Sequence, residues 1–390
     1  YFALALPVFE IARNKFFIKK LLTIFLGGTI ILSALSLFLF GDFFFTKQWA
    51  RPNLSEAISI ESASAKEAAS GKFAYIGIKN RLYDESGKPV EYRWQKDLGL
   101  GTISYVSGRF FRVFSSGQIY ALFGFLFAMF LILKRWKRDR TTLYLGITAI
   151  LTLLTLGISF SRSLWTGAAG GIIFMLFLLP KKRAILIALT IIVLLIAAVM
   201  GSYFFAPKVY QTISNRIISI AKPEQELAGQ NRLNLLEPIN MKIKNRPILG
   251  QGFGTPIVYE SVVPEKQGFI KVYVYEWGYH DLIIKMGILG LLVYAWIFFE
   301  IFRETYKANK VLGMELKSKG KETKQCNPMR CAVTCALSAG IIGMLITNAT
   351  SPYLNHPLGI GFILMAMAVI YAIKKALVKK VALRREKESA

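Results

Sequence analysis

Eight long apolar runs constrain the fold of this chain more than any other feature. Each run has about 17 to 25 predominantly apolar residues, which is enough to cross the hydrocarbon core of a bilayer as a helix. Continuous runs of this length do not match the short alternating strands of a membrane barrel, so we expect helices throughout. The runs cover approximately residues 18–40, 117–133, 141–160, 163–180, 184–206, 281–302, 330–350 and 357–374. Residues 1–11 are expected to be the end of a ninth helix, in a protein that begins upstream of Tyr1.

The charge of the chain supports a membrane protein. Lys and Arg number 49 and Asp and Glu 23, giving a net charge of +26, although only 18% of the residues are charged. An average soluble domain has about a quarter of its residues charged. A basic chain that is poor in charge is typical of a multi-span protein with cationic loops. The basic clusters lie beside apolar runs and lack interleaved aromatic residues, so no nucleic-acid partner is expected.

The distribution of basic residues predicts the orientation. Five clusters fall on one side of the bilayer if the eight runs alternate in direction, and the positive-inside rule makes that side the cytoplasm. Two large loops then lie on the opposite, external face, which is periplasmic or extracellular. We therefore expect an all-α polytopic membrane protein with eight or nine helices and two periplasmic loops. The expected organisation is membrane helices in 1–40, a loop in 41–116, four helices in 117–206, a loop in 207–280, helices in 281–374 and a basic tail in 375–390. Within the first loop, residues 55–70 are compatible with an exposed helix and residues 84–89 with a hairpin-like turn.

Three arginines on the predicted periplasmic side are candidates for binding an anion. Arg162 lies between two apolar runs, and a charge at a membrane helix end is a functional candidate by default, although an Arg can also extend to lipid headgroups. Arg216 and Arg232 lie in the second large loop. An Arg side chain can grip a pair of phosphate oxygens, so a lipid pyrophosphate is the obvious ligand. From these residues alone, a solvated basic loop or contact with anionic lipid headgroups is the favoured interpretation of Arg216 and Arg232.

Glu276 and His280 are candidates for a general base at the start of the run that follows this loop. They are four residues apart and share a face if the helix begins early, and a His can accept a proton near neutral pH. Taken alone, His280 is better interpreted as an interfacial residue that is hydrogen-bonded to a loop. His356 is interpreted as part of a turn between the last two runs.

Two other patterns argue against familiar sites. The glycines of residues 250–254 resemble a nucleotide loop, but no strand–loop–helix unit surrounds them, and a tight turn is favoured. The five Asp form no D-x-D pair, and Cys331 and Cys335 have no His partners, so neither a metal nor another cofactor is expected.

The order of these motifs resembles the O-antigen ligase/polymerase superfamily of bacterial membrane glycosyltransferases over roughly residues 105–300. The resemblance rests on the entry GRFFRVFSSGQ (108–118), the Ser–Arg link ISFSRSLWTG (158–167), an Arg followed by RPILGQGFG (246–254), and a polar residue before the Gly-x-x-Gly of KMGILG (285–290). One position departs from the pattern. The ligases of the family typically have a His about eleven residues before the first Gly of the last motif; here that residue is Glu276, whereas His280 is seven residues before Gly287.

The resemblance implies an inner-membrane enzyme that takes a glycan from undecaprenyl pyrophosphate. Arg162, Arg216 and Arg232 would stabilise the pyrophosphate, and Glu276 or His280 would deprotonate the acceptor hydroxyl. The reaction would be inverting and would need no metal or nucleotide. The acceptor is either lipid A–core, which makes the enzyme a ligase, or another lipid-linked repeat unit, which makes it a polymerase of O-antigen or exopolysaccharide. Partner proteins for chain length or export are compatible with either. A transporter or flippase for lipid-linked sugars and a non-enzymatic scaffold of an export complex are the alternatives from other classes.

Overall fold

The computed structural model is mostly helical. It describes residues 15–45, 101–107, 110–135, 139–205, 227–262, 268–317 and 328–389, with a few isolated residues between 206 and 226. The helices are α1 Lys15–Phe45, α2 Gln118–Arg135, α3 Arg140–Ile158, α4 Arg162–Leu178, α5 Lys181–Phe205, α6 Leu227–Asn234, α7 Leu236–Asn245, α8 Gly278–Lys317, α9 Pro328–Asn348 and α10 Pro357–Ser389. The strands are β1 Gly101–Ser107, β2 Phe110–Ser115, β3 Ile257–Ser261 and β4 Gly268–Val272.

Each of the eight apolar runs coincides with a helix, so the predicted helices are confirmed. Four of these helices are long and apolar enough to cross a membrane by length and composition. Those four segments are Ile18–Asp42, Arg140–Ile158, Gly278–Lys307 and Pro357–Lys375, and shorter apolar helices cover Gln118–Lys134, Arg162–Leu178 and Ala332–Asn348. The number of spans and the periplasmic position of the loops remain predictions. The predicted ninth helix at 1–11, the helix at 55–70 and the turn at 84–89 lie outside the described residues.

Helix α9 lies at the centre of the apolar helices and contacts α2, α4, α8 and α10. Small residues allow α4 and α9 to approach closely. A Cβ atom on Gly167 of α4 would overlap the Thr347 hydroxyl and lie 2.6 Å from the Gly343 carbonyl oxygen of α9. Close contact through small residues is the usual way in which membrane helices associate, because the lipid tails remove most of the hydrophobic driving force between helices.

Contacts at the helix ends agree with alternating directions. At one end, the Lys134 ammonium of α2 donates to the Leu178 carbonyl of α4 at 3.1 Å, and Glu304 of α8 pairs with Lys374 of α10 at 3.2 Å. All four residues lie at ends predicted to share the cytoplasmic side. At the opposite end, Arg112 of β2 donates through Nε to the Ser159 carbonyl after α3 at 2.8 Å.

Two β-hairpins are an addition to the predicted all-α class. Strands β1 and β2 pair antiparallel, as do β3 and β4. The first hairpin precedes α2 and is joined to it by Gln118, whose side-chain oxygen accepts from the Ser115 backbone N–H at 3.0 Å. The second hairpin lies in the predicted second loop and packs with α6 and α7 around a small core of Leu235, Ile239, Ile257, Tyr259, Tyr275 and Ile284. Because Ile284 belongs to α8, this core attaches the loop to the start of that apolar helix.

Candidate functional site

The side chains of two asparagines hold helix α6 against the second hairpin. Asn231 donates to the Tyr259 hydroxyl at 2.9 Å and accepts from the Val262 backbone N–H at 3.1 Å. Asn234 donates to the Glu260 carbonyl at 3.3 Å. These bonds set the position of the helix that carries Arg232.

Arg232 forms an ion pair with Glu276, through Nε and a carboxylate oxygen. The Glu276 side chain is 58% exposed and that of Arg232 is 27% exposed, so the pair lies at the surface. The Trp277 indole N–H donates to the Arg232 carbonyl at 2.8 Å, and its ring lies edge-on to the His280 ring at 6.0 Å between centroids. The structure therefore brings Arg232, Glu276 and His280 into one surface cluster, with Trp277 between them.

The predicted span that begins near residue 281 contains a break at Gly287. This residue has φ 67° and ψ −171°, which is not a helical conformation. In a regular helix the carbonyls of Ile284 and Lys285 would accept from the N–H groups of Ile288 and Leu289. At the break those two hydrogen bonds are replaced by bonds to the loop between α7 and β3.

Residues 247–252 of that loop satisfy all four backbone groups. Gln251 N–H donates to the Ile284 carbonyl at 2.6 Å, and Gly252 N–H donates to the Lys285 carbonyl at 3.1 Å. On the other side, Ile288 N–H donates to the Pro247 carbonyl at 2.9 Å, and Leu289 N–H donates to the Ile248 carbonyl at 3.2 Å. A break in an apolar helix is tolerated when neighbouring protein groups complete its hydrogen bonds in this way.

Glycine is required on both sides of this contact. A Cβ atom on Gly250 would lie 2.5 Å from the Gly287 nitrogen, and one on Gly287 would lie 2.6 Å from the Gly250 nitrogen and overlap the Ile248 carbonyl oxygen. Gly250 and Gly252 also have positive φ, of 71° and 92°. The segment 250–254 is therefore a turn that docks into a broken helix, in agreement with the turn interpretation.

Arg162 begins α4, two residues after a backbone outlier. Phe160 has φ 45°, in the left-handed region that residues other than glycine rarely adopt. The neighbouring residue Ser163 accepts from the Thr347 hydroxyl at 3.1 Å through its carbonyl and from the Ser351 hydroxyl at 3.1 Å through its own hydroxyl. The link that carries Arg162 is thus anchored to residues 347–351. Arg216 lies outside the described residues.

The short segment between α9 and α10 also contacts the start of α8. Asn355 donates to the Asp281 carboxylate at 2.8 Å. The same segment therefore touches both the residue after Arg162 and the residue after His280. His356 itself accepts from the Leu358 backbone N–H at 3.3 Å through Nδ1, which makes it a cap for α10, as the turn interpretation predicted.

A buried charged pair lies one turn into α8. The Asp281 side chain is fully buried, the Lys285 side chain is 7% exposed, and the two are 2.7 Å apart. Lys285 also lies over the ring of Tyr275 at 5.6 Å. The Tyr275 hydroxyl donates to the Thr255 carbonyl, and burial, with a further contribution from the Asp281 carboxylate, raises the pKa of Tyr275 to about 12. That hydroxyl stays protonated at neutral pH. Within the described residues, no group of three or more His, Cys, Asp or Glu is placed to hold a metal ion.

Residues 147–295 match the family model described as O-antigen ligase. The predicted resemblance to the O-antigen ligase/polymerase superfamily is confirmed over this stretch. No curated protein sequence matches the chain significantly. The matched stretch contains the Ser–Arg link, the break in α8 and the Arg232–Glu276 cluster. Together with the apolar helices, the match supports a membrane protein with an O-antigen ligase-type role in polysaccharide biosynthesis.

Several contributors to this region were not among the predicted site residues. They are Arg112, Trp277, Asp281 and Asn355, which bind Ser159, Arg232, Lys285 and Asp281 respectively. Asp281 and Lys285 carried a readable signal, because two opposite charges four residues apart stand inside an otherwise apolar run. Arg112, Trp277 and Asn355 act through contacts that are distant along the chain, and sequence spacing does not reveal those.

Proposed function

We propose that this protein is an inner-membrane glycosyltransferase that moves a glycan from undecaprenyl pyrophosphate to an acceptor hydroxyl on the periplasmic face. The observation that carries the proposal is the cluster of Arg232, Glu276 and His280 within the O-antigen ligase match. The cluster lies where α6, α7 and the second hairpin meet the long apolar helix α8. The headgroup of a lipid-linked donor has to be bound at such a boundary.

The acceptor oxygen attacks the anomeric carbon as the bond from that carbon to the pyrophosphate oxygen breaks. The configuration inverts, the acceptor proton passes to a base, and undecaprenyl pyrophosphate leaves with an added negative charge. Arg232 would bind this charge, assisted by Arg162 and Arg216. Guanidinium groups suit this task because they bind phosphate oxygens in two-point fashion.

The Arg232–Glu276 ion pair suggests how binding of the donor changes the contacts of Glu276, one of the two candidate bases. In the described state Arg232 holds the Glu276 carboxylate. A pyrophosphate carries more negative charge than one carboxylate, so it would compete for Arg232 and release Glu276. We favour His280 as the base, because an imidazole can accept a proton near neutral pH and the half-buried His280 ring lies beside the indole that donates to the Arg232 carbonyl. Glu276 is the second candidate.

The acceptor separates two versions of this function. Transfer to lipid A–core would make the protein a ligase, as the description of the matched family suggests. Transfer to a second lipid-linked repeat would make it a polymerase of O-antigen or exopolysaccharide, and the displaced His register favours this version. Both versions use the same donor site, so the acceptor has to be found by assay.

The test is glycan transfer by purified protein in detergent micelles, with a lipid-pyrophosphate donor and each acceptor supplied separately. We expect Arg232→Ala and Arg162→Ala to lower transfer at least about tenfold, since removal of one charge-stabilising donor typically costs more than that in kcat. Lys244→Ala is the matched control, because Lys244 is an exposed cation on the adjacent helix α7. Full transfer by both Arg variants would refute the pyrophosphate site.

The base assignment needs a separate pair of variants. If His280 is the base, His280→Ala should lower kcat by about 100-fold or more, whereas Glu276→Gln should cost less. A larger loss of kcat in Glu276→Gln than in His280→Ala would assign the base to Glu276. Full activity of the variant with both changes would exclude both residues. A transporter would instead move the lipid-linked donor between leaflets of vesicles without forming any glycosidic bond.

A further inference from the structure

Asp281 and Lys285 form the buried pair in α8. Neither residue takes part in the proposed chemistry, but the contacts of Asp281 suggest a separate role. The Asp281 carboxylate collects three donors from three segments of the chain. They are the Lys285 ammonium at 2.7 Å, the Asn355 side-chain amide at 2.8 Å and the Tyr275 backbone N–H at 3.4 Å. A fully buried carboxylate is costly unless it is paired and hydrogen-bonded, so this arrangement holds only while all three segments stay in place.

Each of the three contacts supports a different part of the candidate site. Tyr275 directly precedes Glu276, so its backbone contact fixes the turn that carries the partner of Arg232. Asn355 belongs to the segment that anchors the residue after Arg162 through Ser351. Lys285 lies just before the break in α8, and its carbonyl accepts from the docked loop.

Asp281 is not placed to react with a substrate itself. Its side chain has no exposed surface, and its oxygens are engaged by the three donors. A group in this situation acts through its neighbours. From these contacts we propose that Asp281 is a positioning residue that holds the Glu276–Trp277 turn, the segment 349–356 and the first turns of α8 in the geometry needed for glycan transfer.

The orientation of the amides supports this arrangement. The side-chain nitrogen of Asn355 must face Asp281, because a carboxylate can only accept hydrogen bonds. The side-chain oxygen of the fully buried Asn348 must face the Leu354 N–H, because a backbone N–H can only donate. Gly278 at the start of α8 packs against Asn348, where a Cβ atom would lie 2.7 Å from the Asn348 side-chain oxygen. The start of α8 is therefore packed against the end of α9 and hydrogen-bonded, through Asp281, to the segment 349–356 that follows it.

Asp281→Asn tests the proposal because it keeps the shape of the side chain but removes one acceptor and the anion that faces Lys285. We expect kcat for glycan transfer to fall by about 10- to 100-fold, with little change in KM for the donor, as is typical when catalytic groups are displaced by a small distance. Amide hydrogen exchange in residues 273–279 should become faster, because the single Asn oxygen cannot accept from all three donors that the carboxylate holds together. Glu300→Gln is the matched control, since it removes a charge from an ion pair farther along the same helix.

A swapped variant separates positioning from a general loss of folding. Asp281→Asn combined with Asn355→Asp returns a carboxylate to the network one hydrogen bond away, and it should restore much of kcat and of the exchange protection. Asn355→Ala keeps the ion pair with Lys285 and should show the same effects more weakly, so it decides the question if Asp281→Asn does not fold. Wild-type kcat in Asp281→Asn, or unchanged exchange in residues 273–279, would overturn the proposal.

The kinetic readout rests on the proposed function, whereas the exchange readout does not. If the wild-type protein transfers no glycan to either acceptor, the proposed function fails. The exchange of residues 273–279 in Asp281→Asn then still decides whether Asp281 holds the turn.

Discussion

Replacement of Gly287 by Ala tests whether the break in α8 is built into the fold. Gly287 has φ 67° and ψ −171°, a region that is essentially restricted to glycine. A methyl group on Gly287 would point at the docked loop and overlap the carbonyl oxygen of Ile248. The Gly287→Ala variant therefore has to keep a strained backbone and displace the loop slightly, or become helical and expel the loop.

Both outcomes give a similar loss of stability. If the break is kept, the strained backbone costs about 1–3 kcal/mol. If the helix straightens, the four hydrogen bonds between α8 and residues 247–252 are lost, and α8 regains two of its own. The net loss is then two hydrogen bonds, at about 1 kcal/mol each, or roughly 2 kcal/mol. We therefore expect Gly287→Ala to be destabilised by about 2 kcal/mol by either route.

The assay is thermal unfolding in detergent micelles together with hydrogen exchange. The midpoint should fall in Gly287→Ala, and faster exchange of the Gln251 and Gly252 amides would show that the loop has been expelled. Gly146→Ala is the matched control, because Gly146 lies inside α3 and a Cβ atom there meets nothing within 4 Å. A Gly250→Ala, Gly287→Ala double variant should cost less than the sum of the single changes, because both disrupt one contact. The reasoning would be refuted if Gly287→Ala unfolds at the same midpoint as Gly146→Ala and the Gln251 and Gly252 amides remain protected from exchange.

Three further changes test other parts of the structure. Gly167→Ala should lower the thermal midpoint by forcing α4 from α9, at a cost of about 1–3 kcal/mol for overpacking. Tyr275→Phe should cost about 1 kcal/mol, because the hydroxyl that donates to Thr255 is lost. Since the folded pKa of about 12 exceeds the unfolded value of 10.0, this difference should persist below pH 10 and shrink as pH rises towards 12; the same difference at pH 12 as at pH 7 would contradict it. His356→Ala should remove the cap of α10 at about 0.5–2 kcal/mol without changing glycan transfer, and a loss of transfer in folded protein would place His356 in the site.

The helices were predictable because their signal is local. A run of about 20 apolar residues has few alternatives to a helix in a membrane, and the observed ends of α2, α3 and α4 lie within two residues of the predicted ones. The basic clusters carried similarly local information about which side of the membrane each helix end faces. The contacts Lys134–Leu178 and Glu304–Lys374 join helix ends that these clusters had assigned to one side.

The site was predictable only in part, because its geometry depends on contacts between distant residues. Arg232 and Glu276 are 44 positions apart, and no spacing rule shows that they pair. The motif RPILGQGFG (246–254) and the Gly-x-x-Gly of residues 287–290 are separate in the sequence, where the first predicts a turn and the second belongs to an apolar run. In the structure they are the two sides of one contact, and each supplies the glycine that the other requires.

This contact also explains why the candidate cluster lies where it does. A continuous α8 would use its own hydrogen bonds, and residues 247–252 would lose their four backbone hydrogen bonds to it. The break exposes two carbonyls and two N–H groups, and only the loop satisfies them within the described part of the chain. The loop is continuous with α7 and β3, which pack in the same small core as Tyr275 and carry α6 with Arg232. Loss of the break should therefore displace Arg232 relative to His280, so Gly287→Ala should reduce glycan transfer even though Gly287 has no chemistry of its own.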